Sequence, residues 1–296
     1  MLSAMVAVVG RPNVGKSSLV NALVGSKVSI VSHKPQTTRH QIQGVVHDPR
    51  GQLVFVDTPG IHGDGKRALN RVMNEAAYAA LEDIDVVLFV VDANRWTDDD
   101  QQVLTRLKAL STPVGLVVNK IDRMADKTRL LPTIERLQAL YSFAFIVPVS
   151  ALRRVQLDAL KDELFAHASE GPAFYPEDMT VGHDHRFALA ELIREKVVRN
   201  LHQEMPYATA VGIERWEIEG RLDRVSAVIW VEREGQKGIV IGDKGQQLRK
   251  IGETARKEWE RSTGRKLFLE LWCKVKENWS DDLRALGQFG LRPGGD

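Results

Sequence analysis

The sequence predicts an α/β domain with a mostly parallel sheet and a phosphate-binding loop, followed by a smaller α+β domain. Three observations support this. Apolar strand patterns alternate with helical patterns up to about residue 164. Gly10–Ser17 fits Gly-x-x-x-x-Gly-Lys-Ser between the first predicted strand and the first predicted helix. Beyond Gly171–Met179, which contains two prolines, the order becomes helix, strand, strand, short helix, Gly-x-x-Gly, long helix and strand.

Length and composition define the class of protein. A chain of 296 residues is long enough for about two domains, each able to bury its own core. We expect an N-terminal domain over residues 1–170, a linker over 171–180 and a second domain over 181–296. The formal net charge of +2 does not by itself indicate a nucleic-acid partner.

Cysteine use and hydropathy predict a cytoplasmic protein. The single cysteine, Cys273, excludes an intramolecular disulfide, and the apolar stretch Leu267–Val275 around it predicts a core residue rather than a nucleophile. No apolar run reaches the length of a membrane span, and Met1–Val9 lacks the charged leader of a secretory signal. Composition leaves peripheral membrane contact open.

The strands predicted in the first domain are near-continuous apolar runs, which is typical of a parallel sheet covered by helices on both faces. They are Met5–Val9, Ile42–His47, Leu53–Val56, Val86–Val91, Val114–Val118 and Ile146–Val149. Helical patterns separate them at Ser17–Val24, Lys66–Leu81, Asp99–Leu110, Arg129–Tyr141 and Gln156–Glu163. In such sheets, ligands bind at the carboxyl ends of the strands.

The loop Gly10–Ser17 has the composition of a phosphate cradle. Its two glycines let successive backbone N–H groups point at an anion, and the helix that follows adds its positive end. Lys16 is expected to reach the outer phosphates and the Ser17 hydroxyl to bind Mg²⁺. The expected phosphate-binding residues of this region are Gly10, Asn13, Val14, Gly15, Lys16, Ser17 and Ser18.

The segment Asn119–Asp122 indicates which base is bound. It follows the predicted strand Val114–Val118, so it lies at the carboxyl end of a buried strand. Guanine presents two donors on one edge that the Asp122 carboxylate can accept together, whereas adenine has no matching donor pair. Asn119 can bridge the base and the phosphate loop, and the alkyl stem of Lys120 can cover the ring. We expect Ser150 and Ala151, after the last strand, to complete this pocket.

Two further segments are candidates for the metal and the third phosphate. Asp57–Gly60 follows an apolar strand, so Asp57 can hold Mg²⁺ and the Gly60 backbone N–H can approach the γ-phosphate. Gln36–His40 is a polar stretch whose threonines can bind Mg²⁺ and then be released when the γ-phosphate is lost. Spacing alone does not decide between Thr37 and Thr38.

The second domain is predicted to contain a nucleic-acid clamp. Its elements are His185–Leu201 (helix), Tyr207–Glu217 and Arg224–Glu234 (strands), Gly238–Ile241 (one helical turn), Gln246–Ser262 (helix) and Lys266–Val275 (strand). The loop Gly242–Gly245 between two helices has the Gly-x-x-Gly pattern by which KH modules hold a nucleic-acid backbone.

Local charge supports an RNA-binding function. Residues 244–276 contain ten basic and four acidic side chains. Along the long helix, Leu248, Ile251, Ala255 and Trp259 are expected to be buried, which leaves Lys250, Lys257 and Arg261 on another face to meet phosphates. Arg249, Glu253, Arg256 and Glu260 alternate in sign and are expected to pair with each other. The expected RNA-binding residues are Gly242, Lys244, Gly245, Lys250 and Lys257. The tryptophans expected to pack mostly in the core are Trp216, Trp230, Trp259, Trp272 and Trp279.

Taken together, the motifs resemble those of a known family. Gly10–Ser17, Gln36–His40, Asp57–Gly60, Asn119–Asp122 and Ser150–Ala151 stand in the order of the guanine-nucleotide motifs of small GTPases. Arg11–Val14, the Gln-Thr-Thr-Arg-His segment and the appended KH-like module resemble the Era family of bacterial GTPases, over essentially the whole chain.

This resemblance implies Mg²⁺-dependent hydrolysis of GTP to GDP, with Lys16, Thr38 and Gly60 as catalytic residues and Ser17, Thr38 and Asp57 as metal ligands. It selects Thr38 over Thr37 as the switch threonine. It further implies a type II KH domain, binding of 16S ribosomal RNA near its 3′ end, a role in 30S subunit biogenesis and rRNA maturation, and partial association with the inner membrane. We expect a monomer.

Some interpretations stay open at this point. Ile61 occupies the position where many relatives have a water-orienting glutamine, so we expect slow intrinsic hydrolysis. The protein could instead be an RNA-binding assembly factor for which the nucleotide is mainly a structural ligand. A phosphate-loop enzyme that uses ATP is a third interpretation, and Asp122 argues against it.

Overall fold

The computed structural model describes residues 1–31, 37–60, 67–177, 179, 184–201 and 209–291. Its first sheet has the order β2-β3-β1-β4-β5-β6, with β7 paired to β1. The strands are β1 (Leu2–Val9), β2 (Ile42–Asp48), β3 (Gly51–Asp57), β4 (Val86–Asp92), β5 (Val114–Asn119), β6 (Phe145–Pro148) and β7 (Ser169–Glu170). β1, β3, β4, β5 and β6 run parallel, whereas β2 and β7 pair antiparallel. The prediction of a mostly parallel sheet is confirmed.

Helices cover both faces of this sheet, as the apolar strands require. They are α1 (Lys16–Val24), α2 (Ala68–Ala79), α3 (Asp98–Leu107), α4 (Leu130–Gln138) and α5 (Leu157–Ala166). One core lies under α1 and α5, and a second lies under α3 and α4. Side chains of β1 alternate between these cores, with Val6 in the first and Ala7 in the second. The carboxyl ends of β1, β4 and β5 therefore lie together at one edge of the sheet, between the helices that cover its two faces.

The second domain has the predicted order of elements. It consists of α6 (His185–Asn200), β8 (Thr209–Glu219), β9 (Leu222–Val231), α7 (Glu234–Ile241), α8 (Gln246–Thr263), β10 (Lys266–Val275) and α9 (Leu283–Gln288). Its sheet has the order β10-β9-β8, in which β9 pairs antiparallel with β8 and parallel with β10. α6 and α8 cover one face of this sheet through Leu189, Ile193, Ile251, Ala255 and Trp259.

Three local features differ from the sequence prediction. The turn between β8 and β9 is shorter than expected, because Gly220 takes a left-handed conformation and β9 already begins at Leu222. α7 begins at Glu234 instead of Gly238, because the Gln236 amide oxygen accepts hydrogen bonds from the N–H groups of Glu232 (2.8 Å) and Arg233 (3.0 Å). α9 is absent from the prediction, and its Leu286 packs in a buried cluster with α2.

The segment predicted as a linker follows the first sheet closely. The Gln52 side chain is 1% exposed, and its amide oxygen accepts hydrogen bonds from the N–H groups of Phe174 (2.8 Å) and Tyr175 (3.0 Å). Its amide nitrogen donates to the Tyr175 carbonyl at 2.8 Å. Ser3 also donates to the Pro172 carbonyl at 3.0 Å. Among the helices described here, none combines the length and apolar character needed to cross a bilayer.

Trp279 joins the two domains and is expected to dominate the stability of their contact. Its side chain is fully buried against α2 and makes an edge contact with Phe289 at 5.3 Å. Replacing Trp279 by alanine should destabilise the protein by about 3–5 kcal/mol, measured as a fall in the denaturant midpoint of unfolding. Trp272 is 57% exposed, contrary to the core packing expected for it. Trp272→Ala is therefore the control, and an equal loss in both variants would contradict the prediction.

Candidate nucleotide site and nucleic-acid groove

The phosphate loop connects β1 to α1 at the carboxyl edge of the first sheet. Gly15 has φ 101° and caps α1, and a Cβ at this position would lie 2.4 Å from Asn119 Nδ2. A side chain is therefore excluded by both conformation and space. Gly10 directly follows β1, and a Cβ at this position would lie 2.4 Å from the Val90 carbonyl oxygen. The cleft above the loop is lined by Pro12, Asn13, Gly15, Lys16, Ser17, Ser18, Ile30, Val31, Thr37, Thr38 and Gly60.

Lys16 is buried at the centre of this cleft. Its Nζ donates to the carbonyls of Gly10 (3.0 Å) and Arg11 (3.1 Å). Burial lowers the pKa of Lys16 to about 8, and the nearby Asp57 carboxylate opposes this shift. Burial takes water away from the Lys16 ammonium group, and an anion in the cleft would stabilise its positive charge instead. Lys16 therefore fits a phosphate-binding role.

The three predicted metal ligands meet at the same end of the cleft. The hydroxyls of Ser17 and Thr38 are 2.8 Å apart and share a hydrogen bond. Thr38 also donates to Asp57 Oδ2 at 3.5 Å. Asp57 is fully buried, and its Oδ1 accepts no hydrogen bond from any residue that the structure describes. Burial also raises the pKa of this carboxyl. Two hydroxyls and a buried carboxylate with an unused oxygen fit Mg²⁺, which prefers oxygen ligands.

The segment after Asp57 is positioned by the sheet and by the phosphate loop. The Thr58 hydroxyl donates to the Val8 carbonyl at 2.9 Å, and a Cβ on Gly60 would lie 3.0 Å from Pro12 Cγ. The Gly60 backbone therefore lies directly against the phosphate loop. Its role toward a third phosphate stays a prediction. The expectations that concern Gln36 and Ile61 lie outside the described residues.

The predicted base-binding residues form a hydrogen-bonded pocket after β5 and β6. Asn119 Nδ2 donates to the Val14 carbonyl at 2.9 Å, while its Oδ1 accepts from the backbone N–H groups of Lys120 (2.8 Å) and Ala151 (3.1 Å). Ser150 Oγ donates to Asp122 Oδ1 at 2.5 Å. This bond fixes one carboxylate oxygen and orients Asp122 for a ligand with adjacent donors.

Lys120 crosses from this pocket to the phosphate loop. Its Nζ donates to the Asn13 carbonyl and, at 2.8 Å, to Asp92 Oδ2. The side chain of Lys120 therefore connects the base-binding segment to the phosphate loop, and its role in covering the guanine ring stays a prediction. Asp92 and Asp100 were not predicted from the sequence as parts of this site. The Asp100 carboxylate accepts a hydrogen bond from Arg11 Nε at 2.8 Å. An acidic residue after a strand or at the start of a helix is too common for sequence to single them out.

A groove in the second domain lies between α8 and the edge strand β10. It is lined by Gly245, Leu248, Arg249, Gly252, Glu253, Arg256, Leu267, Phe268, Leu269 and Leu271. Its floor is apolar, and the Gly-x-x-Gly loop closes one end. Gly245 has φ 77° and caps α8, and no atom of the described residues would lie within 4 Å of a Cβ there, so its backbone is open to a close ligand. The groove can therefore hold bases on its floor and a phosphate at its end.

The charged residues of α8 are arranged differently from the prediction. The expected pairing of Arg249, Glu253, Arg256 and Glu260 is wrong, because these four described side chains form no ion pair with one another. Three of them line the groove instead, while Glu260 pairs with Lys266. Helical spacing fits both arrangements, so sequence could not separate them.

The five expected RNA-binding residues divide into two groups. Gly242, Lys244 and Gly245 form the loop at the end of the groove, and Lys244 is exposed. Lys250 and Lys257 are exposed on α8 but do not line the groove. Their role in RNA binding stays a prediction.

Cys273 is half-buried among the residues that face α8, as expected for a structural thiol. Burial raises its pKa to about 11, so the unreactive thiol form prevails at neutral pH.

Comparisons with known proteins agree with this geometry. Residues 5–120 match the family described as 50S ribosome-binding GTPase, and residues 195–280 match the KH domain. GTPase Era of Xanthomonas oryzae pv. oryzae is 52% identical over 288 residues, which cover 97% of this chain and 96% of that protein. GTPase Era of Stenotrophomonas maltophilia is also 52% identical, over 96% of each chain. The chain belongs to the Era family of GTPases.

Solved Era structures share the whole fold. A variant of Aquifex aeolicus Era bound to GDP and AlF₄⁻ superposes with a TM-score of 0.95 at 38% identity, over 99% of this chain and 100% of that one. Era in complex with MgGDPNP and nucleotides 1506–1542 of 16S ribosomal RNA gives a TM-score of 0.96 at 39% identity, over 99% of both chains. The predicted Era resemblance, the fold class and the GTPase activity are thereby confirmed.

Proposed function

We propose that this Era-family GTPase binds GTP and Mg²⁺ in the cleft above Gly10–Ser17 and binds 16S ribosomal RNA near its 3′ end in the groove between α8 and β10. The observation that carries the nucleotide half is the meeting of Ser17, Thr38 and Asp57 beside the buried Lys16. Support for the RNA half comes from the groove and from the related Era complex with nucleotides 1506–1542 of 16S ribosomal RNA.

Each group in the cleft has a distinct task in this proposal. Lys16 binds the outer phosphates, and the Gly60 backbone N–H donates to the third phosphate. Ser17, Thr38 and Asp57 would hold Mg²⁺, which neutralises phosphate charge during transfer to water. Asp122, held by Ser150, binds the guanine edge, while Asn119, Lys120 and Ala151 shape the pocket. Gly10, Asn13, Val14, Gly15 and Ser18 supply the surrounding backbone.

The direct test compares binding and hydrolysis with and without RNA. An RNA matching the 3′-terminal segment of 16S ribosomal RNA is titrated into the full-length protein with GDPNP and Mg²⁺ or with GDP. Single-turnover GTP hydrolysis is then measured with and without that RNA. We expect nucleotide-dependent affinity for the RNA and faster hydrolysis when it is bound. Unchanged hydrolysis with retained RNA binding would instead support an assembly factor that uses the nucleotide as a structural ligand.

RNA binding in the groove can be tested separately, with substitutions at the two glycines that cap opposite ends of α8. Replacing Gly245 by aspartate puts a negative charge where the groove would hold a phosphate, and should weaken RNA binding about tenfold. Gly264 caps the other end of α8 with a similar φ of 69°, and a Cβ there would also meet no described atom within 4 Å. Gly264→Asp therefore adds the same charge at a matched site. Equal RNA affinity in the two variants, measured by titration at fixed salt, would argue against the groove.

Three finer parts of the proposal rest on family membership. We propose that the protein acts on the 30S subunit during its maturation, as a monomer, and contacts the inner membrane peripherally. Co-sedimentation with 30S subunits, light scattering and binding to vesicles made with anionic lipid test these parts one by one. Failure of any of them leaves the nucleotide and RNA sites unaffected.

A further inference from the structure

The segment Thr37–Arg39 is held by the second domain on both sides of Thr38. The Thr37 carbonyl accepts a hydrogen bond from Arg194 Nη2 on α6. On the other side, Arg39 Nη1 donates to the Thr209 carbonyl at 2.7 Å, at the start of β8. Thr38 lies between these contacts, with its hydroxyl 2.8 Å from Ser17 Oγ. Both neighbours of a candidate metal ligand are thus anchored in the other domain.

Arg194 is itself rigidly oriented. Its Nε and Nη2 donate to the two carboxylate oxygens of Glu191, at 2.7 and 2.6 Å. Arg194 is 2% exposed and Glu191 is 7% exposed, and they lie three residues apart on α6. A guanidinium held at two points by a buried carboxylate has little freedom to rotate. The remaining hydrogen-bonding capacity of Nη2 is directed at the Thr37 carbonyl.

A bond to the Thr37 carbonyl acts directly on Thr38. The carbonyl of residue 37, the amide N–H of residue 38 and the Cα of residue 38 belong to one planar peptide unit. Fixing the direction of that carbonyl therefore fixes the plane from which the Thr38 side chain projects. Since the Cα of Thr38 lies in this plane, only its Cβ separates the plane from the hydroxyl oxygen, and a rotation of the plane therefore moves the hydroxyl.

We propose that Arg194 is a positioning residue of the GTPase site, which orients the Thr38 hydroxyl toward the Mg²⁺ position by binding the Thr37 carbonyl. This inference rests on the proposed function, in which Thr38 is a ligand of that ion. Because Arg194 belongs to the second domain, the nucleotide site of the first domain is complete only when the two domains are in contact. Arg39, bound on the far side of Thr38, supports the same orientation.

The test uses the full-length protein with Arg194→Met, which keeps the length of the side chain and removes its donors. Since that change leaves Glu191 buried without its partner, the double variant E191Q/R194M is measured beside it. R194K is the conservative variant, because a lysine can donate to the Thr37 carbonyl but cannot hold both Glu191 oxygens. The control is Lys27→Met, which removes another contact between the two domains, the ion pairs of Lys27 with Glu195 and Glu258, at a residue that does not line the nucleotide cleft.

Two readouts are combined with steady-state kinetics. Amide hydrogen exchange of residues 37–41 is followed with GDPNP and Mg²⁺ bound, and the Mg²⁺ concentration for half-maximal hydrolysis is determined. We expect R194M and the double variant to exchange faster in this segment, to need about tenfold more Mg²⁺, and to lose between about tenfold and a hundredfold in kcat. R194K should fall between these and the wild type. Affinity for GDP should change less than about twofold, since Thr38 is released when the γ-phosphate is absent.

Wild-type exchange and Mg²⁺ dependence in both methionine variants would overturn the inference. An equal effect of Lys27→Met would also overturn it, because any loosening of the domain contact would then suffice. A Thr38→Ala variant separates this inference from the proposed function. If Thr38→Ala hydrolyses GTP at the wild-type rate, the assignment of Thr38 as a metal ligand fails. If Thr38→Ala is impaired and R194M is not, only the role of Arg194 fails.

Discussion

Replacing Lys16 by alanine is expected to slow GTP hydrolysis by between about a hundredfold and a thousandfold. Lys16 is the cation at the centre of the cleft, 6% exposed and bonded to the carbonyls of Gly10 and Arg11. In this setting a positive charge acts on the phosphates through little intervening water, so its loss removes a large part of the transition-state stabilisation. Single-turnover hydrolysis with excess protein measures the effect on the chemical step.

The fold should survive this change. Burial lowers the pKa of Lys16 to about 8, which means that the folded protein without nucleotide holds this charge at a cost. The thermal midpoint of the nucleotide-free protein should therefore not fall in Lys16→Ala. Lys161, a surface lysine paired with Asp158 at 2.7 Å, provides the control, and Lys161→Ala should hydrolyse GTP at the wild-type rate. Hydrolysis by Lys16→Ala within a few-fold of wild type would exclude the proposed role.

Replacing Asp122 by asparagine is expected to change which base is accepted. The carboxylate can accept from both guanine donors, whereas an asparagine amide donates where the exocyclic amine of guanine also donates. Loss of a hydrogen bond to a charged group should weaken GTP binding by between about tenfold and a hundredfold. Xanthine carries a carbonyl at the position of that amine, so xanthosine triphosphate should bind the variant more tightly than GTP. Competition between the two nucleotides measures the preference.

Two further variants sharpen this experiment. Asp126 lies on the same loop and accepts from the Thr128 backbone N–H at 2.9 Å, so Asp126→Asn makes the same chemical change outside the pocket. It should leave the preference for GTP intact. Ser150→Ala removes the hydroxyl that holds Asp122 at 2.5 Å and should weaken GTP binding without favouring xanthine. A GTP preference in Asp122→Asn equal to that of wild type would contradict the pocket.

Elements with a strong pattern of apolar residues could be predicted from the sequence. The core strands β4 and β5 and the long helix α8 agree with the prediction to within one residue at each end. A strand buried on both faces is a continuous apolar run, and a long helix buried on one side has apolar residues every three or four positions. Both patterns are visible in the sequence because the tertiary contacts require them. Boundaries set by a single side chain were less predictable, as with α7, whose start depends on Gln236.

Much of the candidate nucleotide site could be predicted from the sequence, because Ser17 comes shortly after β1 and Asp57 ends β3, which runs parallel to β1. Thr38 reaches the same edge from the other direction, since it precedes β2, which is antiparallel to β3, and only the family pattern selected it over Thr37. The contact between the two domains could not be predicted from the sequence. Arg39 is 2% exposed, and burial beside Arg194 lowers its pKa to about 9. An arginine in a polar stretch is normally exposed to solvent. Arg39 is buried because it packs against Thr209 and Trp279 of the second domain.

The open edge of β10 has a consequence for the behaviour of the protein at high concentration. Among the described residues, β9 is the only strand that pairs with β10, so a row of backbone donors and acceptors faces the groove. Phe268 and Trp272 are about half exposed on this strand. Such an edge can recruit a strand from a second molecule, and the charges of Lys266, Glu270 and Lys274 along it oppose that self-association. The edge that borders the groove is therefore also an edge at which self-association can begin.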